Sequence, residues 1–270
     1  MIGWIMKVLV YINSEKDIKG LFKEKISSLL NENGIEHIFI RDNDFNTPYT
    51  ADALFVYGGD GTILDVVPFS CKNNIPIIAI NSGKLGFLAE FEEREIEESV
   101  KLLLQKKLVK DERIALNANI NGKNYIGLNE IIVRKIFLKT DEKIVYLNVK
   151  DNNKLFRKIK GDGVLLSTPT GSTAYAYSIG NCILYPELDN FSIMPIAPHS
   201  VDRHCLVVSA DNKYTIELES DRPAGVFIDG EFISMFNSQD IIEVTKHNSK
   251  IVFLRREDYD FYETLKKVTN

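Results

Sequence analysis

Ala53-Leu54-Phe55-Val56-Tyr57-Gly58-Gly59-Asp60-Gly61-Thr62 is an apolar, strand-like run that passes straight into a glycine-rich turn. The segment Ile63 to Phe69 then reads as the start of a helix. A strand, a glycine loop and a helix in this order bring main-chain N–H groups and a helix N-terminus together at the carboxyl end of a sheet. Phosphate is stabilised at such a point. Glycine permits unusual φ values there and lets a ligand approach the backbone without meeting a Cβ. Asp60 is the departure, because a carboxylate among those glycines repels phosphate unless it handles a proton or a cation. The same residues also suit an ordinary tight turn. The loop is neither a Walker loop nor a dinucleotide fingerprint, so alone it names no substrate.

Outward from this loop, the first part of the chain alternates strands with helices. Lys7 to Ile12, Ile35 to Ile40, Ala53 to Tyr57 and Ile75 to Ile80 read as buried strands. Asp17 to Leu30 places Ile18, Leu21, Phe22, Ile26, Leu29 and Leu30 at helical spacing and stops at Asn33-Gly34. Glu93 to Lys107 is a second helix, with Ile96, Val100, Leu103 and Leu104 on one face. Apolar strands between helices indicate a mostly parallel sheet covered on both faces.

The pattern changes after about Lys110. Two alternating runs flank Asn121-Gly122, a hairpin signal, and Lys143 to Ile159 reads as another hairpin turning at Asp151-Asn152-Asn153. Further strands are expected at Cys205 to Ser209, Lys213 to Glu219, Gly225 to Ile228, Asp240 to Thr245 and Lys250 to Arg255. The expected fold is an α/β domain over residues 1–110, joined by a C-terminal helix from about 256–270, and a β-rich domain over 111–255.

The 270 residues carry a formal net charge of −5 with both signs interspersed, and 44% are hydrophobic. That balance describes a globular protein and argues against nucleic acid as a partner, which needs a concentrated basic face. Cys71, Cys182 and Cys205 are odd in number and widely spaced, as in a cytoplasmic protein with reduced thiols. The apolar run Met1 to Ile12 is too short to span a membrane and lacks the pattern of a signal peptide. His199 and His204 lack a third ligand nearby, so no zinc site is expected.

Three further clusters carry polar chemistry. Asn81-Ser82-Gly83-Lys84-Leu85-Gly86-Phe87-Leu88 follows the fourth strand at the same end of the sheet as the glycine loop, either as a second ligand loop or as a plain β–α connection. Asn129-Glu130 interrupts the apolar strand Tyr125 to Val133; the pair suits the vicinal hydroxyls of a ribose, or marks a strand end. Lys160-Gly161-Asp162-Gly163 precedes the strand Val164 to Ser167, which leads into Thr168-Pro169-Thr170-Gly171-Ser172-Thr173-Ala174-Tyr175-Ala176-Tyr177-Ser178. This hydroxyl-rich run has no apolar period, and Tyr175 or Tyr177 could stack on a polar ring.

Taken in order, Gly58 to Thr62, Asn81 to Phe87, Leu128-Asn129-Glu130, and Gly161-Asp162-Gly163 with Thr168 to Tyr175 closely resemble the motifs of NAD kinases. The first motif alone is also similar to one in diacylglycerol-type lipid kinases and 6-phosphofructokinases, whereas the Thr168 to Tyr175 run is specific. The resemblance implies transfer of the terminal phosphoryl group of ATP to the 2′-hydroxyl of the adenosine ribose of NAD, giving NADP, with Mg²⁺ or another divalent cation accompanying ATP. It assigns Asp60 as proton acceptor, with Gly61 at the ribose and phosphates, Gly58 and Gly59 as further substrate- or cofactor-binding positions, and Phe87 near the adenine. Asn129 and Glu130 would hold the substrate, Thr173, Ala174, Tyr175 and Ser178 would line the adenosine pocket, and Asp162 would meet the nicotinamide end. Lys160 stands where the family often has arginine, and Ala197 matches a position that some members contribute from a neighbouring subunit. The resemblance also implies a homo-oligomer, dimer or tetramer, with no membrane or nucleic-acid partner. Ile179-Gly180-Asn181-Cys182, Ala197-Pro198-His199 and Arg203-His204 depart from the usual family residues.

Overall fold

A computed structural model of the chain describes residues 6–83, 86–136, 144–199, 203–220 and 222–269. Lys84 and Leu85 of the second loop, and Met1 and Lys143, lie outside the described residues. The elements in chain order begin with β1 (Lys7–Ile12), α1 (Leu21–Glu32), β2 (Glu36–Ile40), β3 (Ala53–Gly58), α2 (Asp60–Asn73), β4 (Ile77–Asn81), β5 (Phe91–Glu92), α3 (Ile96–Leu104) and β6 (Val109–Arg113). Next come β7 (Leu116–Ile120), β8 (Lys123–Gly127), β9 (Glu130–Lys135), β10 (Val145–Asp151), β11 (Lys154–Gly161), β12 (Gly163–Ser167) and the single turn α4 (Tyr175–Ser178). The chain ends with β13 (Asn190–Ile196), β14 (Leu206–Ser209), β15 (Tyr214–Leu218), β16 (Ala224–Ile228), β17 (Glu231–Phe236), β18 (Ile241–Lys246), β19 (Ile251–Arg255) and α5 (Phe261–Thr269). Two compact units result: Met1–Glu112 with Ile251–Asn270, and Arg113–Lys250.

The first unit is a sheet in the order β2-β1-β3-β4-β19-β6, with β5 also paired to β4. β1 runs parallel to β2 and β3, and β4 runs parallel to β3, β5 and β19. From β1 the chain steps outward to β2, then returns to β3 on the other side, which makes the gap between β1 and β3 a topological switch point. Helices α1 and α3 bury Phe22, Ile26, Leu30, Ile96 and Val100 against Val8, Val10, Phe55 and Ile80, while α2 packs on β3, β4 and β19. Burial on both faces explains why β3 and β4 are apolar without alternation.

The helix predicted from Asp17 starts later, at Leu21, because Gly20 adopts a left-handed backbone (φ 70°). The Asp17 carboxylate instead accepts the N–H groups of Phe22 and Lys23 at 3.1 and 2.9 Å, capping from outside the helix. Ile18 and Leu21, placed by spacing on the buried face, are 85% and 64% exposed. Lys250 to Arg255, assigned by its pattern to the β-rich domain, supplies β19 (Ile251–Arg255) to the first unit's sheet, between β4 and the edge strand β6. Five residues of apolar strand look alike in either setting, and only the pairing partner decides between them. Phe261 anchors α5 within this unit at 7% exposure.

The second unit is a sandwich of two antiparallel sheets, β11-β10-β15-β18-β7-β8 and β14-β13-β12-β9-β16-β17. Alternate residues from both fill one core, among them Leu116, Leu147, Ile216 and Val244 facing Ile131, Val164, Leu166, Phe191 and Val226. Hairpins turn at Asn121-Gly122 (φ 50° and 86°) and Asn152-Asn153 (φ 46° and 68°), the left-handed pairs that their residues favour. Strands β13 and β17 escape the sequence reading. Pro195 argues against a central strand, yet β14 pairs only with Asn190 to Ile193, so Pro195 stands beyond that ladder. Among the described residues, no helix is long and apolar enough to cross a membrane.

The most buried charge in the first unit is Arg255. Its Nε lies 2.5 Å from Asp111 Oδ2 and its Nη1 3.3 Å from Glu90 Oε2, with the guanidinium 4.1 Å from the centre of the Tyr259 ring. This cluster ties β19 to β6 and to the segment before β5. Arg255→Met removes the buried guanidinium from Asp111 and leaves Glu90 with Arg256 at 3.5 Å, and should lower unfolding stability by about 3–5 kcal/mol in urea titration. A loss below about 1 kcal/mol would contradict this account of the cluster.

Candidate active site

In the first unit the carboxyl ends of β1, β3 and β4 converge. The Asn13 side chain, just past β1, donates to Thr62 Oγ1 at 2.8 Å, and the Ser82 N–H, just past β4, donates to the Gly58 carbonyl at 3.1 Å. A cleft of about 570 Å³ opens beside them at the ends of β1 and β2, with Asn13, Lys23, Phe39, Arg41 and Asp42 in its wall.

The glycine loop itself is shorter than its sequence suggests. Helix α2 begins at Asp60, not Ile63, directly after Gly59 in extended backbone (φ −94°, ψ −177°). None of Gly58, Gly59 and Gly61 has positive φ, so the loop does not need glycine for unusual dihedrals. Space is the reason at Gly58, where a Cβ would collide with the Thr62 side chain, whereas a Cβ on Gly59 or Gly61 would meet no atom within 4 Å and so points into open space. No side chain caps the N-terminus of α2, which leaves its first N–H groups directed at that open space, where an anion is stabilised.

Asp60 has a structural task that its sequence context hid. Its Oδ2 accepts the Phe87 N–H at 2.9 Å and its Oδ1 accepts the Leu88 N–H at 3.3 Å. Gly86 passes so close that a Cβ there would collide with the carboxylate. The glycine loop and the second loop are thus clasped together through Asp60, and Phe87 is half-buried beside it. Each carboxylate oxygen still has a second lone pair for a further donor.

In the second unit the strand predicted over Tyr125 to Val133 is broken. β8 and β9 belong to different sheets, and Leu128-Asn129 forms the crossing between them. The Asp229 carboxylate accepts the N–H groups of Leu128, Asn129 and Glu130 at 2.7, 2.8 and 3.1 Å. Glu130 is 4% exposed, and its Oε2 has no hydrogen-bond partner. Burial, helped by the neighbouring Asp229 carboxylate, pushes the Glu130 carboxyl up to about 8. At neutral pH Glu130 therefore carries a proton and can donate as well as accept. Asp229 is also raised by burial, to about 6, against the pull of its three N–H donors, so it is the ionised member of the pair.

The hydroxyl-rich run is less available than its composition suggests. Thr168, Thr170 and Ser172 are buried; Thr168 Oγ1 donates to the Leu128 carbonyl at 2.5 Å, and Ser172 Oγ accepts the Leu184 N–H at 2.6 Å. These groups build the loop. Thr173, Ala174 and Tyr175 are half-buried and Ser178 is exposed, while Ala176 packs with Ile132, Leu165 and Ile196 and holds the segment on the outer face of the sheet. Tyr177 is 49% exposed.

At the other end of β12, the Asp162 N–H donates to the Ile196 carbonyl and the His199 N–H donates to the Lys160 carbonyl. Ala197, left-handed at φ 42°, places its carbonyl 2.9 Å from where a Gly161 Cβ would stand. The Asp162 carboxylate is paired with Lys135 at 2.8 Å, and Lys160 is exposed with its ammonium 5.6 Å from the centre of the Tyr146 ring. The unit therefore gathers the predicted residues into two groups. Asn129 and Glu130 stand near Ser167, and Lys160, Asp162 and Ala197 near Gly163, with Thr173 to Ser178 over the sheet.

Sequence reading passed over Asn13 and Asp229. Asp229-Gly230 lies between apolar runs and is a hairpin signal of the same kind as Asn121-Gly122. That signal reveals the turn but not the carboxylate's partners, which are about a hundred residues away in sequence.

A family model described as the ATP-NAD kinase N-terminal domain matches residues 2–108, and one described as the ATP-NAD kinase C-terminal domain matches residues 128–256. The NAD kinase of Caldicellulosiruptor bescii is 32% identical over 265 residues, covering 97% of this chain and 98% of that protein. The NAD kinase of Fusobacterium nucleatum is 31% identical, covering 96% of this chain and 95% of that protein. Among solved structures, an NAD kinase from Archaeoglobus fulgidus in complex with ATP superposes with a TM-score of 0.79 at 25% identity, covering 98% of this chain and 99% of that one. Yeast NADH kinase complexed with NADH superposes at 0.84 and 21% identity over 99% of this chain and 88% of that one, a likeness of fold. On these matches and on the two-unit fold, the chain belongs to the NAD kinase family and is a phosphotransferase.

Proposed function

We propose that this enzyme transfers the terminal phosphoryl group of ATP to the 2′-hydroxyl of the adenosine ribose of NAD, with Asp60 accepting the hydroxyl proton. The layout along β12 carries the reading to a dinucleotide. The Asn129-Glu130 turn pairs near Ser167 and the Asp162–Ala197 corner near Gly163, four residue steps apart, or about 13 Å along the strand. The Thr170 to Ser178 segment lies over the sheet between them. Two polar ends joined by a half-buried, partly aromatic floor suit an elongated ligand with a nucleoside at one end and a second ring at the other.

In this reading Asn129 and Glu130 hold the adenosine ribose. Glu130 offers one unpartnered oxygen and a proton, and the Asn129 amide both donates and accepts. Thr173, Ala174, Tyr175 and Ser178 line the adenosine side, Phe87 packs near the adenine, and Asp162, Lys160 and Ala197 meet the nicotinamide half. Gly58, Gly59 and Gly61, with the N-terminus of α2, face the phosphates.

Phosphoryl transfer passes through a loose transition state, so positioning and charge neutralisation dominate. A ribose hydroxyl is a weak nucleophile, and a carboxylate within hydrogen-bond reach takes its proton as the new P–O bond forms and the bond to the ADP oxygen breaks. The second lone pairs of Asp60 suit that role while its clasp on Phe87 and Leu88 fixes its orientation. Among the described residues no cluster of three or more His, Cys, Asp or Glu could hold a metal ion. In this reading Mg²⁺ or another divalent cation would be carried on the phosphates of ATP, with Asp60 as the carboxylate at the loop. Such an ion would offset phosphate charge.

Incubation of the purified protein with ATP, Mg²⁺ and NAD should yield NADP; absence of NADP with both substrates bound would overturn the proposal. Asp60→Asn loses one of the two clasp bonds as well as the carboxylate, so it should lower turnover by ~100-fold or more while raising the Kd for NAD far less. Near-normal turnover would remove Asp60 as proton acceptor, and equal loss of binding and turnover would reduce it to a loop clasp.

Glu130 also makes a stability prediction. Its folded pKa of about 8 exceeds its ordinary 4.5, so the native state holds a proton that the unfolded chain has released between those values. Stability from this group is lost as pH rises from about 4.5 to 8. Glu130→Gln should therefore gain on wild type between pH 5 and pH 8, by on the order of a few kcal/mol in urea midpoints. A gain in the opposite direction would contradict the assignment.

A further inference from the structure

We infer that Asp229 is the positioning residue for the Asn129-Glu130 turn, setting the turn's geometry through the main chain without touching substrate. The inference rests on the substrate-holding role proposed above for Asn129 and Glu130.

The chain must leave one sheet after Gly127 and enter the other at Glu130. Over that crossing the N–H groups of Leu128, Asn129 and Glu130 all turn to the Asp229 carboxylate, the first to Oδ2 and the other two to Oδ1. The Asp229 N–H returns a bond to the Glu130 carbonyl at 3.0 Å. On the opposite side, the Asn129 carbonyl accepts the Thr168 N–H at 2.9 Å and the Ser167 hydroxyl at 3.2 Å, and the Leu128 carbonyl accepts the Thr168 hydroxyl. Gly171 approaches the Asn129 carbonyl so closely that a Cβ there would collide with it. The peptide groups of the turn are thus held from both sides, while Glu130 Oε2 is left without a partner.

Turn geometry alone does not account for an aspartate here. Asp229 and Gly230 have φ of 49° and 88°, the two-residue turn that joins β16 to β17, and Asn-Gly or Gly-Gly would build that turn as well. Only a carboxylate offers two acceptor oxygens and no donor to three N–H groups. An asparagine keeps the left-handed preference and the shape, but it replaces one oxygen by an NH₂ group that faces an N–H donor. The crossing must then shift, and the two side chains it presents shift with it.

Asp229→Asn therefore tests the inference with the turn preserved. The KM for NAD should rise ~10-fold or more, with the KM for ATP within about twofold and the thermal midpoint within a few degrees. Combined with Asn129→Ala, the loss should be far from additive, because both changes act on one contact. If Asn129→Ala raises the KM for NAD and Asp229→Asn does not, the inference falls and the role of Asn129 stands. Unchanged KM for NAD in both variants overturns the underlying reading as well. Parallel rises in both KM values with a large drop in thermal midpoint would make Asp229 a general structural residue and overturn the inference.

Discussion

A main chain that leaves a β-sheet gives up its hydrogen-bond partners, and in this protein an aspartate carboxylate takes them up in each unit, at loops that carry candidate residues. Unpaired N–H groups in a partly buried place cost about 1–3 kcal/mol each, so these loops cannot hold a single shape without an acceptor. Asp60 accepts two such groups after β4, and Asp229 accepts three between β8 and β9. Carboxylates suit the task because they accept through both oxygens and present no donor of their own. The remaining features of both loops, including the closely approached Gly86 and Gly171, follow from the fit around these anchors.

In the proposed mechanism this arrangement lets one residue carry both structure and chemistry. Asp60 is fixed by the loop it holds, so the orientation that the proposed proton transfer needs would be set before a ligand arrives. In the other unit the costs are visible in Glu130, a carboxyl buried beside an ionised aspartate with an oxygen unpartnered. Such a group lowers stability at neutral pH and is tolerated where a ligand is to be recognised. The structural hydroxyls of Thr168 and Ser172 do the reverse, disappearing into the fold so that the residues after them are presented in one conformation.

Much of the fold was legible in the sequence because each signal was local. Val8 to Ile12 and Ala53 to Tyr57 read as buried strands since both faces of their sheet are covered, and Asn121-Gly122 announced its hairpin. What failed was decided at long range. The place of Ile251–Arg255 depends on a partner, β4, nearly two hundred residues earlier; the late start of α1 depends on one left-handed glycine; and Pro195 hid β13 because its tolerance rests on where β14 ends. The site shows the same division. Its motifs were readable as residue types, whereas the clasp of Asp60 on Phe87 and the hold of Asp229 on Asn129 join residues that no spacing rule connects. A glutamate at position 130 implies an ionised carboxylate, and only its burial beside Asp229 gives it a proton.

The central claim is the chemical one: a terminal phosphoryl group moves from ATP to the 2′-hydroxyl of the adenosine ribose of NAD. The most direct measurement supplies ATP labelled in its terminal phosphate with NAD, or with analogues lacking the 2′- or the 3′-hydroxyl of that ribose. The account predicts label on NAD and on the 3′-deoxy analogue, and none on the 2′-deoxy analogue. Label on the 2′-deoxy analogue, or no label on NAD itself, would contradict it.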